Sequence, residues 1–128
     1  MCESKEMDVV VASHPSALLH DTGPRHPERR QRVTAVLEGI QATALAIAEI
    51  EAPEIDRSEL ALVHDPSYIE MIHTFCELGG GALDMDTFAS AESWQAALTA
   101  SGGLRAVVEE LETKTDATGF AVSRPPGH

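Results

Sequence analysis

Three of the chain's six histidines, His14, His20 and His26, stand six residues apart in one loop. Imidazole nitrogens can hold a metal or move a proton near neutral pH. A six-residue interval fits neither one helix face nor a Cys-x-x-Cys knuckle. In a loop, capping and hydrogen bonding to the backbone are the commoner uses of histidine, and they are preferred here over a metal centre. His64 and His73 read as structural or exposed. Asp84 and Asp86 follow Gly79-Gly80-Gly81, and such carboxylates are either exposed loop charges or acceptors facing a ligand. Arg25, Arg29, Arg30 and Arg32 place four of the nine basic residues in one short stretch. Most charges stay in water, so this is a solvated helical turn unless one or more of them point inward. The stretch Arg124-Pro125-Pro126-Gly127-His128 is the most unusual. Two prolines stiffen it and a glycine permits a close approach, which would fix the direction of His128. A plain polar tail is the competing reading. No P-loop, GxGxxG, HExxH or GxSxG occurs.

Elements must carry these residues to one place. Val9-Val10-Val11-Ala12 is a β-branched run of the kind buried on both faces of a parallel sheet. From Glu28, Val33, Val36, Leu37, Ile40, Ala44 and Ile47 recur at helical spacing, which predicts a helix reaching about Ile50. Leu60-Ala61-Leu62-Val63 predicts a second strand. Asp65-Pro66 looks like an N-cap followed by proline at the first helical position, with Ile69, Ile72, Phe75 and Cys76 facing inward. The Gly79–Gly81 run ends that helix. A third helix is expected from about Ser90 to Glu112, with Trp94, Ala97, Leu98, Ser101, Leu104, Val108 and Leu111 inward. Gly102-Gly103 within it suggests close packing. Phe120-Ala121-Val122-Ser123 predicts a third strand. Strands alternating with helices imply a parallel sheet flanked by helices, whose ligands sit at the carboxyl ends of the strands.

Length and charge narrow the function. The chain has 128 residues, enough for one domain. Its net charge of −12 argues against nucleic acid and against an anionic membrane as partners. The charge is uneven: residues 1–32 balance five acids with five bases, and residues 33–128 supply the whole excess. Two cysteines, Cys2 and Cys76, make no disulfide framework, and a reducing, cytoplasmic setting is expected. Residues 1–7 read as a disordered tail without a secretory pattern.

Four stretches resemble the leading part of the histone deacetylase family, which includes acetoin-utilisation and acetylpolyamine deacetylases. They are His20-Asp21-Thr22-Gly23 with His26-Pro27-Glu28-Arg29; Val63-His64-Asp65-Pro66-Ser67-Tyr68-Ile69; Asp84-Met85-Asp86-Thr87 with Ser93-Trp94-Gln95-Ala96-Ala97; and Phe120 to His128. The resemblance implies an α/β fold, the N-terminal portion of an arginase/deacetylase-like three-layer α/β/α architecture around a parallel sheet. It implies zinc-dependent hydrolysis of an acetylated amine, acetyl-lysine or an acetylpolyamine, with the metal polarising the carbonyl and activating water. His128 matches the first of the family's two adjacent active-site histidines. Asp86 matches a rim aspartate that binds the substrate backbone, and Arg32 matches an arginine lining a channel behind the zinc.

The resemblance also marks what these residues omit. The second histidine, the zinc-binding Asp-x-His, the second zinc aspartate and the tyrosine that stabilises the oxyanion have no counterpart here. No metal ligand is therefore assigned, and the chain alone is expected to bind no catalytic zinc and to hydrolyse nothing. It reads as an N-terminal deacetylase fragment within residues 1–128. The alternative is a non-catalytic binding or regulatory module derived from the same fold.

Overall fold

The structure, a computed structural model, describes residues 8–127. Residues 1–7, expected to form a tail, and His128 lie outside the described residues. A central sheet of three parallel strands runs through the structure. Strand β1 (Asp8–Ser13) pairs with β2 (Ala46–Glu51) on one side and β5 (Ala117–Ala121) on the other. Between them run a short 3-10 helix at Pro15–Leu18, then α1 (Gln31–Gln41), α2 (Arg57–Leu60), α3 (Pro66–Glu77) and α4 (Ser93–Glu112). A two-stranded ribbon, β3 (Gly81–Ala82) and β4 (Phe88–Ala89), brackets the Asp84–Asp86 loop.

The alternation of β1 builds the layers. Val11 points to one face, where it meets Ala17, Val33 of α1 and Val122. Val10 and Ala12 point to the other face, against Val107 of α4. Side chains on a strand alternate between faces, so one β-branched run serves both sides. This is helix, sheet, helix, the α/β architecture expected.

Four expectations are corrected. The helix from Glu28 ends at Gln41, and residues 46–51, expected to prolong it, form β2. Ile47 and Ile50 suit either period, and the ladder to Val9 and Ala12 decides for the strand. Leu60–Val63 is not a strand. Leu60 closes α2, and Leu62 and Val63 stand in the following turn, about four-fifths exposed (82% and 79%). Asp56 caps α2 by accepting from the Ser58 amide, so a local cap overrides a short apolar run. The buried face of α4 is Ser93, Ala96, Thr99, Gly103 and Val107, with Leu98 and Gly102 beside it. Trp94, Ala97, Ser101 and Leu104 instead look onto a groove. The last strand covers Ala117–Ala121, a few residues earlier than expected.

The glycine pair packs as its placement suggested. A Cβ on Gly102 would collide with the Pro53 carbonyl oxygen, and one on Gly103 would come 2.8 Å from the Ala52 Cβ. Helix α3 begins as read, with the Asp65 carboxylate accepting from the Ser67 amide and Pro66 in the first turn.

Candidate functional site

The carboxyl ends of β1 and β5 converge on Arg124, which is 3% exposed. Its Nε donates to Glu28 Oε1 at 2.6 Å and its Nη2 to Glu28 Oε2 at 2.9 Å. Nη1 donates to the carbonyls of Ala17 and His20, each at 2.9 Å. A buried guanidinium needs such a two-pronged carboxylate and its remaining donors satisfied. The clasp joins the loop after β1 to the residues after β5, across about a hundred positions of chain. Burial alone would raise the Glu28 pKa. The hydrogen bond and charge of Arg124 outweigh burial and hold it below the ordinary value.

His20 lies beside the clasp. Its Nδ1 is 2.6 Å from the Ser93 hydroxyl at the start of α4, and its Nε2 is 3.8 Å from Glu28 Oε2. Burial first, and the Arg124 charge next, lower its pKa, so the ring is held neutral. His14 caps the 3-10 helix by accepting from the Ser16 amide. His26 Nδ1 accepts from the Glu28 amide, and Nε2 donates to the Asp86 carbonyl at 2.9 Å. These histidines thus do the capping and hydrogen bonding favoured for histidines in a loop.

His20 separates two spaces. One is a polar cleft of about 350 Å³ between His20, Asp21, Arg29, Arg30 and Arg124. The other is an apolar groove of about 730 Å³, with Tyr68, Ile72, Trp94, Leu98, Phe120 and Pro125 among its walls. The groove runs to Gly127. Asp86 stands on the ribbon loop with its carboxylate almost wholly in water (92% exposed) and within 3.2 Å of His26 Nε2. Asp84 Oδ1 accepts from the Asp86 amide and fixes the loop; that bond lowers the Asp84 pKa.

Arg32 is not turned inward. It is exposed on α1 and lines neither space, because the inward position on that turn goes to Val33. The inward arginine is Arg124, and Arg25, Arg29 and Arg30 are exposed. The ion pair of Glu28 with Arg124 and the bond of His20 to Ser93 were not anticipated. The available signal was an acid in His-Pro-Glu and a base before Pro-Pro, two opposite charges in otherwise stiff motifs. His73 also has partners at helical spacing, since Glu70 and Glu77 lie within 4.0 and 3.4 Å.

Among the described residues, no group of three or more His, Cys, Asp or Glu could hold a metal ion. Every buried side-chain nitrogen or oxygen among them already has a hydrogen-bond partner. The described residues by themselves do not fit the zinc that the resemblance implies. No helix of theirs is long and apolar enough to cross a membrane.

The family model of the histone deacetylase domain matches residues 26–128. This chain belongs to the histone deacetylase family. A probable deacetylase of Methanothermobacter thermautotrophicus is 31% identical over 120 residues, covering 94% of this chain and 35% of that protein. The human polyamine deacetylase HDAC10 is 32% identical over 120 residues, covering 87% of this chain and 18% of that protein. Among solved structures, the HDA15 HD domain superposes with a TM-score of 0.81 at 29% identity, over 95% of this chain and 37% of that one. This chain thus spans about a third of the length of the archaeal relative and of that domain. The matched fold agrees with the α/β architecture expected.

Proposed function

We propose that this chain builds the leading wall of a deacetylase site, one that cleaves the amide of an acetylated amine. The observation that carries the reading is the Glu28–Arg124 clasp. It anchors the Arg-Pro-Pro-Gly stretch at the carboxyl end of β5, beside the apolar groove of about 730 Å³. In this reading His128, the next residue, takes part in proton transfer. Asp86, tethered by His26, receives the substrate's polar backbone or amine at the rim. Arg32 serves a channel only where further residues cover α1. Asp86 and the net charge of −12 favour a cationic substrate, an acetylpolyamine or an acetyl-lysine flanked by basic residues, over nucleic acid or an anionic membrane. Cys76, a buried free thiol whose pKa burial raises, suits a reducing, cytoplasmic setting.

The family's reaction uses zinc, and the set of ligands it needs is not found among the described residues. The 128-residue polypeptide is therefore proposed to be inactive by itself. Two preparations test the reading. The polypeptide alone, purified with zinc present, should hold no stoichiometric metal and release no acetate from an acetyl-lysine peptide or an acetylated polyamine. A chimera in which it replaces the matched segment of the archaeal relative should release acetate. A folded chimera that binds zinc but is inert would favour the alternative, a binding or regulatory module. Zinc-dependent turnover by the polypeptide alone would overturn the proposed division of labour.

A further inference from the structure

A second cluster of titratable side chains packs on Trp94, a residue of the groove wall. Helix α2 has no buried residue and is held to the body by polar contacts. Arg57 Nη1 donates to Glu70 Oε2 at 2.9 Å, and its Nη2 lies 2.7 Å from His73 Nδ1. The guanidinium also sits over the Trp94 ring at 5.0 Å, and the His73 ring leans on the same indole with centroids 4.6 Å apart. Glu59 pairs with Arg105 of α4, and the Ile55 amide donates to the Leu98 carbonyl.

An arginine nitrogen is always a donor, so this contact requires a lone pair on His73 Nδ1. The other ring nitrogen, Nε2, then carries the proton and points it toward Glu77 Oε1 at 3.4 Å. A second proton can enter only at Nδ1. It removes the acceptor that Arg57 uses and sets an imidazolium against a guanidinium. Glu70 and Glu77 on α3 are the acids facing the ring. Either carboxylate can pair with an imidazolium, and Trp94 from α4 faces it without charge. Leu60, the last residue of α2, and His64 line the groove together with Phe120.

We propose that His73 is a proton-operated latch: protonation of its Nδ1 displaces Arg57 from the ring and loosens α2 together with Leu60 and His64 of the groove wall. The latch stands whether or not the groove takes an acetylated amine, because its parts belong to α2, α3 and Trp94. If the groove does take one, acidification loosens its entrance.

Hydrogen exchange of residues 57–64 in the whole 128-residue chain tests it. Imidazoles change charge between about pH 5 and pH 8, which sets the range. After correction for intrinsic rates, protection of this segment should fall about tenfold from the upper to the lower end, the loss of one charge-assisted hydrogen bond. In His73→Gln the amide oxygen still accepts from Arg57 and cannot take the proton, so protection should stay flat. An equal fall in His73→Gln, or a segment equally protected or unprotected at both ends in the parent, overturns the latch. Nitrogen NMR of the parent chain gives a reading that needs no variant: near pH 8, a proton on His73 Nδ1 overturns it as well.

Discussion

Arg124 and Glu28 show how one residue pair can set the pH response of a fold. His20 has its pKa lowered from 6.5 by burial and by Arg124, so the unfolded chain takes up that proton first. Stability contributed by the neutral ring is complete above about 6.5 and is lost as pH falls toward the lowered folded value. Glu28 has its pKa lowered from 4.5, so its contribution is present above that value and is lost at still lower pH. We therefore predict two acid-side losses, read as urea midpoints across pH. His20→Gln should flatten the upper one. Glu28→Gln should remove its share of the lower one and, by leaving a buried guanidinium unpaired, cost about 3–5 kcal/mol near neutral pH. A Glu28→Gln chain with the parent's midpoint at every pH would rule out the clasp as a stabilising pair.

At the scale of elements, α4 carries the packing of the whole chain. Gly102 and Gly103 let the helix lie directly on the Ala52–Pro53 turn after β2. An alanine at Gly102 improves helix propensity by about 1 kcal/mol. It also drives a methyl into the Pro53 carbonyl, and overpacking of this kind costs about 1–3 kcal/mol or more. Gly102→Ala should therefore be less stable than the parent in urea unfolding, against its propensity. Equal or higher stability would mean that the turn gives way easily. Elements with their own local signals were legible in the sequence: the β-branched run of β1, the Asp65-Pro66 start of α3, its glycine end, and the glycine pair. Elements decided by partners distant in sequence were not. Residues 46–51 read as helix until β1 paired with them, and Leu60–Val63 read as strand although no neighbour awaits it. The site divided in the same way. The histidine loop and the Asp84–Asp86 turn could be singled out from residue types. Arg124, and not Arg32, turns inward because of a partner 96 residues away, a fact that spacing cannot carry.

For the whole molecule, the groove is the dominant surface feature. Met85, Leu78 and Leu62 stand at 98%, 84% and 82% exposure, and Phe120 on the outer strand is half exposed at 48%. An apolar groove and exposed apolar side chains such as these draw other apolar surfaces to them. The isolated 128-residue chain is expected to bind an apolar dye such as ANS and to sediment as larger species when concentrated. In the chimera with the archaeal relative both signals should fall. A dye-silent chain that sediments as a monomer at every concentration would show that the groove is already shielded.

The order β2-β1-β5 places the first strand between its partners, with Val9 opposite Ile47 and Thr118. A ribosome delivers the chain from its first residue, so β1 waits beside β2 while some sixty-five more positions are made. Val10 stays uncovered until α4 has been made, and the Arg124 clasp closes only after β5. Pairings so far apart in sequence fold slowly, because the loop must be closed before the contact repays it. A nascent chain of this protein thus carries its β-branched first strand half paired until β5 arrives, an interval in which that strand's open edge is exposed to aggregation.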